Sequence, residues 1–165
     1  MNVPKAVIDT SVFASGFLSK STTSAPRKIL HSWREGRFTL VMAPQLLEEL
    51  DIVLTRLGVT RTDINALIEI IQLIGLHIPG AYETALLDKV DPKDNMFLAS
   101  AFESKADFLV STCKKHLLPI KHFHGTQIVN PAMFLRQLEQ VEIQKKILEV
   151  RAVMEKRFTP TPRLY

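Results

Sequence analysis

The stretch "KAVIDTSVFASG", residues 5–16, sets a carboxylate inside an apolar run. Ala6, Val7 and Ile8 precede Asp9, and Val12 and Phe13 follow it. A short run with β-branched Val and Ile predicts a buried strand that ends near Asp9. Burying an unpaired carboxylate costs several kcal/mol or more, so Asp9 needs a partner. Two kinds are open to it: backbone N–H groups of the following turn, or a bound cation.

Outward from this stretch, short apolar runs alternate with amphipathic ones. "FTLVMA" (38–43), "DFLVST" (107–112) and "TQIVN" (126–130) read as further strands, and "LHIP" (76–79) as a short one. Helices are predicted after Ser24, with Pro26 in the first turn and Gly36 as the stop; over 44–57, opened by Pro44; and after Thr62, read as the cap of "DINALIEIIQLIG". In "DKVDPKDNMFLASAFESKA" (88–106), Asp91 is a candidate N-cap, Pro92 takes the first position and Asp94 lies in the first turn. Pro131 opens a last, long helix that cannot continue through Pro160 and Pro162 in "FTPTPRLY". The alternation predicts an α/β fold: three layers, α/β/α, around a mostly parallel sheet of four or five strands, with a C-terminal helical extension. The division falls at a domain over 1–138 and an extension over 139–165.

Composition sets the outer limits. The 165 residues are 46% hydrophobic and 23% charged, an ordinary globular balance. The net charge of +4 is compatible with a polyanionic partner without requiring one. Cys113 is the single cysteine, which excludes an intrachain disulfide and suits a reducing cytoplasm. No apolar run reaches membrane-spanning length, and the N-terminus does not read as a signal peptide.

In open α/β sheets, ligands bind at the carboxyl ends of the strands. Asp9 sits at one such end and Cys113 just past another. Asp94 starts a helix expected at the same edge. On helix 44–57, Leu46, Leu50, Val53 and Leu57 form a stripe widened by Leu47 and Leu54. Glu48 points away from that stripe, whereas Glu49 borders it and can face a cleft. Asp9, Glu49 and Asp94 can thus converge. Three carboxylates repel unless a cation joins them, and hard oxygen ligands suit Mg²⁺ or Mn²⁺. Each acid also has a structural reading: Asp9 as acceptor for a turn, Glu49 as partner of an arginine, Asp94 as a favourable charge at a helix start.

Four segments, "AVIDTSVFASGFLS", "GRFTLVMAPQLLEELDIVL", "DPKDNMFLASAFESKADFLVST" with "CKKHL", and "GTQIVNPAMFLRQL", resemble a PIN domain in order and spacing. This is the nuclease fold of many toxin components of toxin–antitoxin pairs (VapC-like). The resemblance covers about residues 5–138. It implies a metal-dependent endoribonuclease acting on single-stranded RNA. Its acids fall on Asp9, Glu49 and Asp94, holding Mg²⁺ or Mn²⁺. Thr10 and Ser11 follow the first acid, Asn95 follows the third, and Ser11 or Asn95 would orient a ligand or water. It also implies a homodimer and an antitoxin partner that blocks the acidic pocket.

The sequence departs from the family at the fourth acid, where Ser111, Thr112 and Cys113 stand. A neutral thiol is a poor ligand for a hard cation, and Cys113 reads as a small, half-buried hydrophobe. Asp91 is a substitute whose capping role competes. Lys114, Lys115 and His116 sit in the same loop and can hold flanking phosphates. His122 and His124 in "HFHG" lack a third ligand and read as a surface loop. The alternative reading is a catalytically weak PIN domain that binds RNA or protein. Phosphatase, receiver and Gly-rich phosphate-loop patterns are absent from the sequence. The basic amphipathic stretch "QKKILEVRAVMEKRF" (144–158) suits dimerisation, antitoxin docking, RNA contact or packing on its own domain.

Overall fold

The central strands are apolar at consecutive positions, and both of their faces are buried. Ala6, Val7 and Ile8, then Leu40, Val41 and Met42, then Phe108, Leu109 and Val110 are all in the core. Such strands require helices on both faces of the sheet, and the computed structural model, which describes residues 3–158, has that architecture. The chain runs β1 (Lys5–Ile8), α1 (Thr10–Leu18), α2 (Ala25–Arg34), β2 (Thr39–Met42), α3 (Pro44–Arg56), α4 (Arg61–Ile74) and β3 (Leu76–His77). It continues through a 3₁₀ turn (Pro92–Asp94), α5 (Asn95–Ser104), β4 (Phe108–Val110), β5 (His122–Phe123), β6 (Thr126–Val129) and α6 (Pro131–Phe158).

The strand order is β3-β2-β1-β4-β6-β5, parallel except for β5 against β6. The chain builds outward from β1 to β2 and β3, then returns to β1's other side with β4. The order therefore reverses between β1 and β4. The sheet has six strands where four or five were expected. One of the two-residue edge strands, β5, falls where the sequence predicts a surface loop. His124 (φ 46°) and Gly125 (φ 90°) form a two-residue turn with both φ positive, which closes a β5–β6 hairpin. His124 also packs edge-on to Phe102 and Phe123, so the loop is tied to the core.

Helix α1 has no counterpart in the sequence reading. Its buried side holds Thr10 and Gly16 with Val12, Phe13 and Ala14, and its exposed side holds Leu18 with Ser11 and Ser15, so hydrophobicity does not follow burial and no clear period marks it. Gly16 is required there: a Cβ would lie 2.5 Å from the Pro26 carbonyl oxygen of α2. Helix α4 starts two residues earlier than expected. Thr60, not Thr62, is the cap: its hydroxyl accepts from the Asp63 N–H and donates to the Asp63 carboxylate. On α3 the buried stripe is Leu46, Leu50 and Leu54, and Leu57 is exposed at the C-cap instead of extending it.

Helix α6 is anchored at its start. Phe134 is fully buried between Phe38 and Phe108, with ring centroids 5.1 and 5.4 Å away. Leu138 is its last buried residue, and the 138/139 division falls inside this continuous helix. One turn on, the Arg37 guanidinium grips both Glu142 oxygens at 2.7 and 3.0 Å. The helix break expected at Pro160 lies outside the described residues. Replacing Phe134 with Ala should cost about 3–5 kcal/mol, since it removes one ring from a three-ring contact. Urea unfolding at equilibrium checks this, with an unchanged m-value expected.

Candidate active site

The parallel register sets the first contact. Ile8 is paired with Val110, so the next residues, Asp9 and Ser111, meet at the carboxyl edge where the strand order reverses. That crevice is where open α/β sheets bind ligands. Asp9 is 7% exposed and caps α1. One carboxylate oxygen accepts from the Ser11 N–H at 3.1 Å, and the other accepts from the Ser111 hydroxyl at 2.6 Å. The Ser111 hydroxyl in turn accepts from the Cys113 N–H at 3.0 Å. These donors satisfy the Asp9 oxygens but are neutral, so the negative charge is solvated without being cancelled.

The second half of the site comes from the segment before α5. Asp91 caps the 3₁₀ turn by accepting from the Lys93 N–H. Asp94 closes that turn, half-buried. Burial pushes its carboxyl above the ordinary range, the charges of Asp91 and Asp9 push further, and the His116 ring pulls back. His116 Nδ1 lies 3.5 Å from Asp91 Oδ2 and 3.6 Å from Asp94 Oδ2. That nitrogen is buried and makes no hydrogen bond. Ligand atoms of Asp94, Cys113 and His116 all fall within 4.8 Å of one another.

The other expected residues are placed differently. Glu49 is half-buried beside exposed Glu48, on the side of α3 that the stripe argument selected. Its carboxylate forms no hydrogen bond or ion pair with any described residue, so the arginine partner considered for it is not there. Gln45, one turn earlier on the same face, lines a cleft of about 480 Å³ with Asn95 and Met96. Thr10 is buried at the first position of α1, and Ser11 is exposed. The Asn95 amide is already engaged: it accepts from the Leu87 N–H at 2.9 Å and donates to Asp88 at 2.6 Å. It therefore fastens loop 81–91 to α5. Lys114 and Lys115 are exposed, as a phosphate-facing role needs. His116 parts from them and turns inward to the acids.

The pairing of Ser111 with Asp9 goes beyond the sequence expectations, although the strand ends alone would pair them once β1 and β4 are neighbours. His116 faces the acids and not the side of Lys114 and Lys115, and the Cys-x-x-His spacing at 113–116 is the local signal of that. Neither His122 nor His124 belongs to a metal-ligating group among the described residues.

The donor set fits a divalent cation. Asp94 faces the charges of both Asp9 and Asp91, and among the described residues no Lys or Arg forms an ion pair with any of the three. The sequence matches the family model described as PIN domain over residues 5–114. No curated protein matches the chain.

Two outcomes follow from this geometry. Ser111→Ala leaves one Asp9 oxygen and the Cys113 N–H without their partner, and should cost about 1.5–3 kcal/mol. A double-mutant cycle with Asp9→Asn, read by denaturant unfolding, should show coupling between the two. Asp94 holds its proton more tightly when folded than when unfolded. Stability therefore falls as pH rises from the ordinary carboxylate value of 3.8 through the raised native value. Asp94→Asn should raise the melting temperature at pH 7, with the gain shrinking to nothing below pH 3.8; thermal melts across pH check this.

Proposed function

Because this chain belongs to the PIN-domain family, a family of generally metal-dependent nucleases, we propose that it hydrolyses phosphodiester bonds in single-stranded RNA as an endoribonuclease. The observation that carries the reading is the meeting of Asp9 and Asp94, close enough to feel each other's charge, at the point where the strand order reverses. Asp9, Glu49 and Asp94 would hold the cation, Mg²⁺ or Mn²⁺. When bound, it supplies charge stabilisation at the scissile phosphate and a more acidic water.

The chain's own groups do the rest. The Ser111 hydroxyl and the Ser11 N–H fix the Asp9 carboxylate, so its orientation does not depend on the ligand. The exposed Ser11 hydroxyl, at the rim, offers a donor to a phosphate oxygen or water. Lys114 and Lys115 hold flanking phosphates and add a salt-dependent share of affinity. The likeness to PIN toxins supports a place as the toxin of a toxin–antitoxin pair, acting in the cytoplasm as a homodimer and silenced by an antitoxin protein. Among the described residues no helix is long and apolar enough to cross a membrane.

Cys113, where many PIN domains carry a fourth acid, favours a second reading: a catalytically weak domain that binds RNA. Purified protein incubated with unstructured and folded RNAs separates the two. Cleavage should require Mn²⁺ or Mg²⁺, stop with EDTA, and fall at least about 100-fold in Asp9→Asn and Asp94→Asn. RNA binding that survives EDTA without cleavage would establish the weak-domain reading. Recovery of activity in Cys113→Asp would then locate the defect at that position.

A further inference from the structure

We propose that Asp94, Cys113 and His116 form a site for a thiophilic divalent cation of the Zn²⁺ class. Their ligand atoms lie within 4.8 Å of one another. With bonds of about 2.0–2.3 Å, a tetrahedral zinc holds its ligands about 3.3–3.8 Å apart, so small side-chain rotations complete the set. The three donor types, carboxylate, thiolate and imidazole, are those zinc accepts, whereas Mg²⁺ takes oxygen almost exclusively.

The His116 ring gives an independent sign. Its Nδ1 is buried, has no hydrogen-bond partner, and points at Asp91 and Asp94. A ligating nitrogen is oriented this way. Three protein ligands leave a fourth position for water or for Asp91, whose Oδ2 faces His116 Nδ1 at 3.5 Å while Oδ1 caps the 3₁₀ turn. Cys113 is positioned from behind, by the bond from its N–H to the Ser111 hydroxyl and by the Leu118 N–H on its carbonyl.

Asp94 is common to this set and to the acids assigned to the hard cation. Zn²⁺ and Mn²⁺ therefore compete, and Zn²⁺ acts as an inhibitor. That consequence rests on the nuclease reading; the binding itself does not.

The test uses Co²⁺ as a spectroscopic stand-in on the full chain, stripped of metal and kept reduced. One equivalent should produce a near-ultraviolet thiolate-to-cobalt charge-transfer band with intense visible bands of a tetrahedral ion, and Zn²⁺ should bleach both. Cys113→Ser should lose the charge-transfer band while keeping its far-ultraviolet circular dichroism. His116→Ala should keep that band but bind Co²⁺ at least tenfold more weakly. A wild-type titration without the band, or a band that persists in Cys113→Ser, overturns the site. A cobalt spectrum from a protein that cleaves no RNA leaves the site standing and removes the nuclease reading. Metal-dependent cleavage without the thiolate band does the reverse.

Discussion

The hydrogen bond from Ser111 to Asp9 is the contact on which the site depends. It exists because β1 and β4 are parallel neighbours with Ile8 opposite Val110. A buried carboxylate at a strand end would otherwise be an expensive defect. Here two neutral donors meet its oxygens and leave its charge intact, which is what a cation-binding residue requires. The same hydroxyl accepts from the Cys113 N–H, so one small side chain fixes Asp9 and the path of the loop that follows β4. Core packing beneath it, from Val7, Leu109 and Val110, makes the strand register hard to shift.

The second constraint is the segment leading into α5. Asp91 caps the turn, Asn95 ties loop 81–91 down through the Leu87 N–H, and Leu87 itself is buried. Asp94 is held at the edge by this backbone, and the attraction of His116, 3.6 Å away, does not outweigh burial and the charges of Asp91 and Asp9. Its raised proton affinity is the physical signature of that arrangement: the fold places the charge where burial and two neighbouring carboxylates oppose it. Local disagreement of this kind concentrates at functional positions, because the rest of the structure compensates for it.

The parts legible in the sequence were those with one-sided periodicity or distinct end signals. The strand before Asp9, the opening of α3 at Pro44, and the Asp91–Pro92 start all carry local signals strong enough to survive packing. The wheel argument separating Glu49 from Glu48 also agrees with their burial, although it could not supply a contact for Glu49. Helix α1 was hidden because it buries Thr10 and Gly16 and exposes Leu18, so its apolar residues do not mark its buried side. The β5–β6 hairpin was hidden because its strand is two residues long and its turn is a His-Gly pair. Ser111 was hidden for a different reason. Its role is set by which strands are neighbours, a long-range fact that no local window contains.

Position 113 shows how such a site can vary without disturbing its frame. The group that Ser111 holds is the Cys113 backbone N–H, which any residue except proline would present. The side chain there is thus released from the scaffold's hydrogen bonding. A carboxylate at this point would add a hard ligand beside Asp9 and Asp94. A thiol beside His116 shifts the donor set toward a softer ion while leaving Asp94 available to either. In the proposed reading the choice of cation rests with a residue whose replacement the Asp9–Ser111 contact does not feel. The acids that the sheet topology brings together set only that some cation is favoured there.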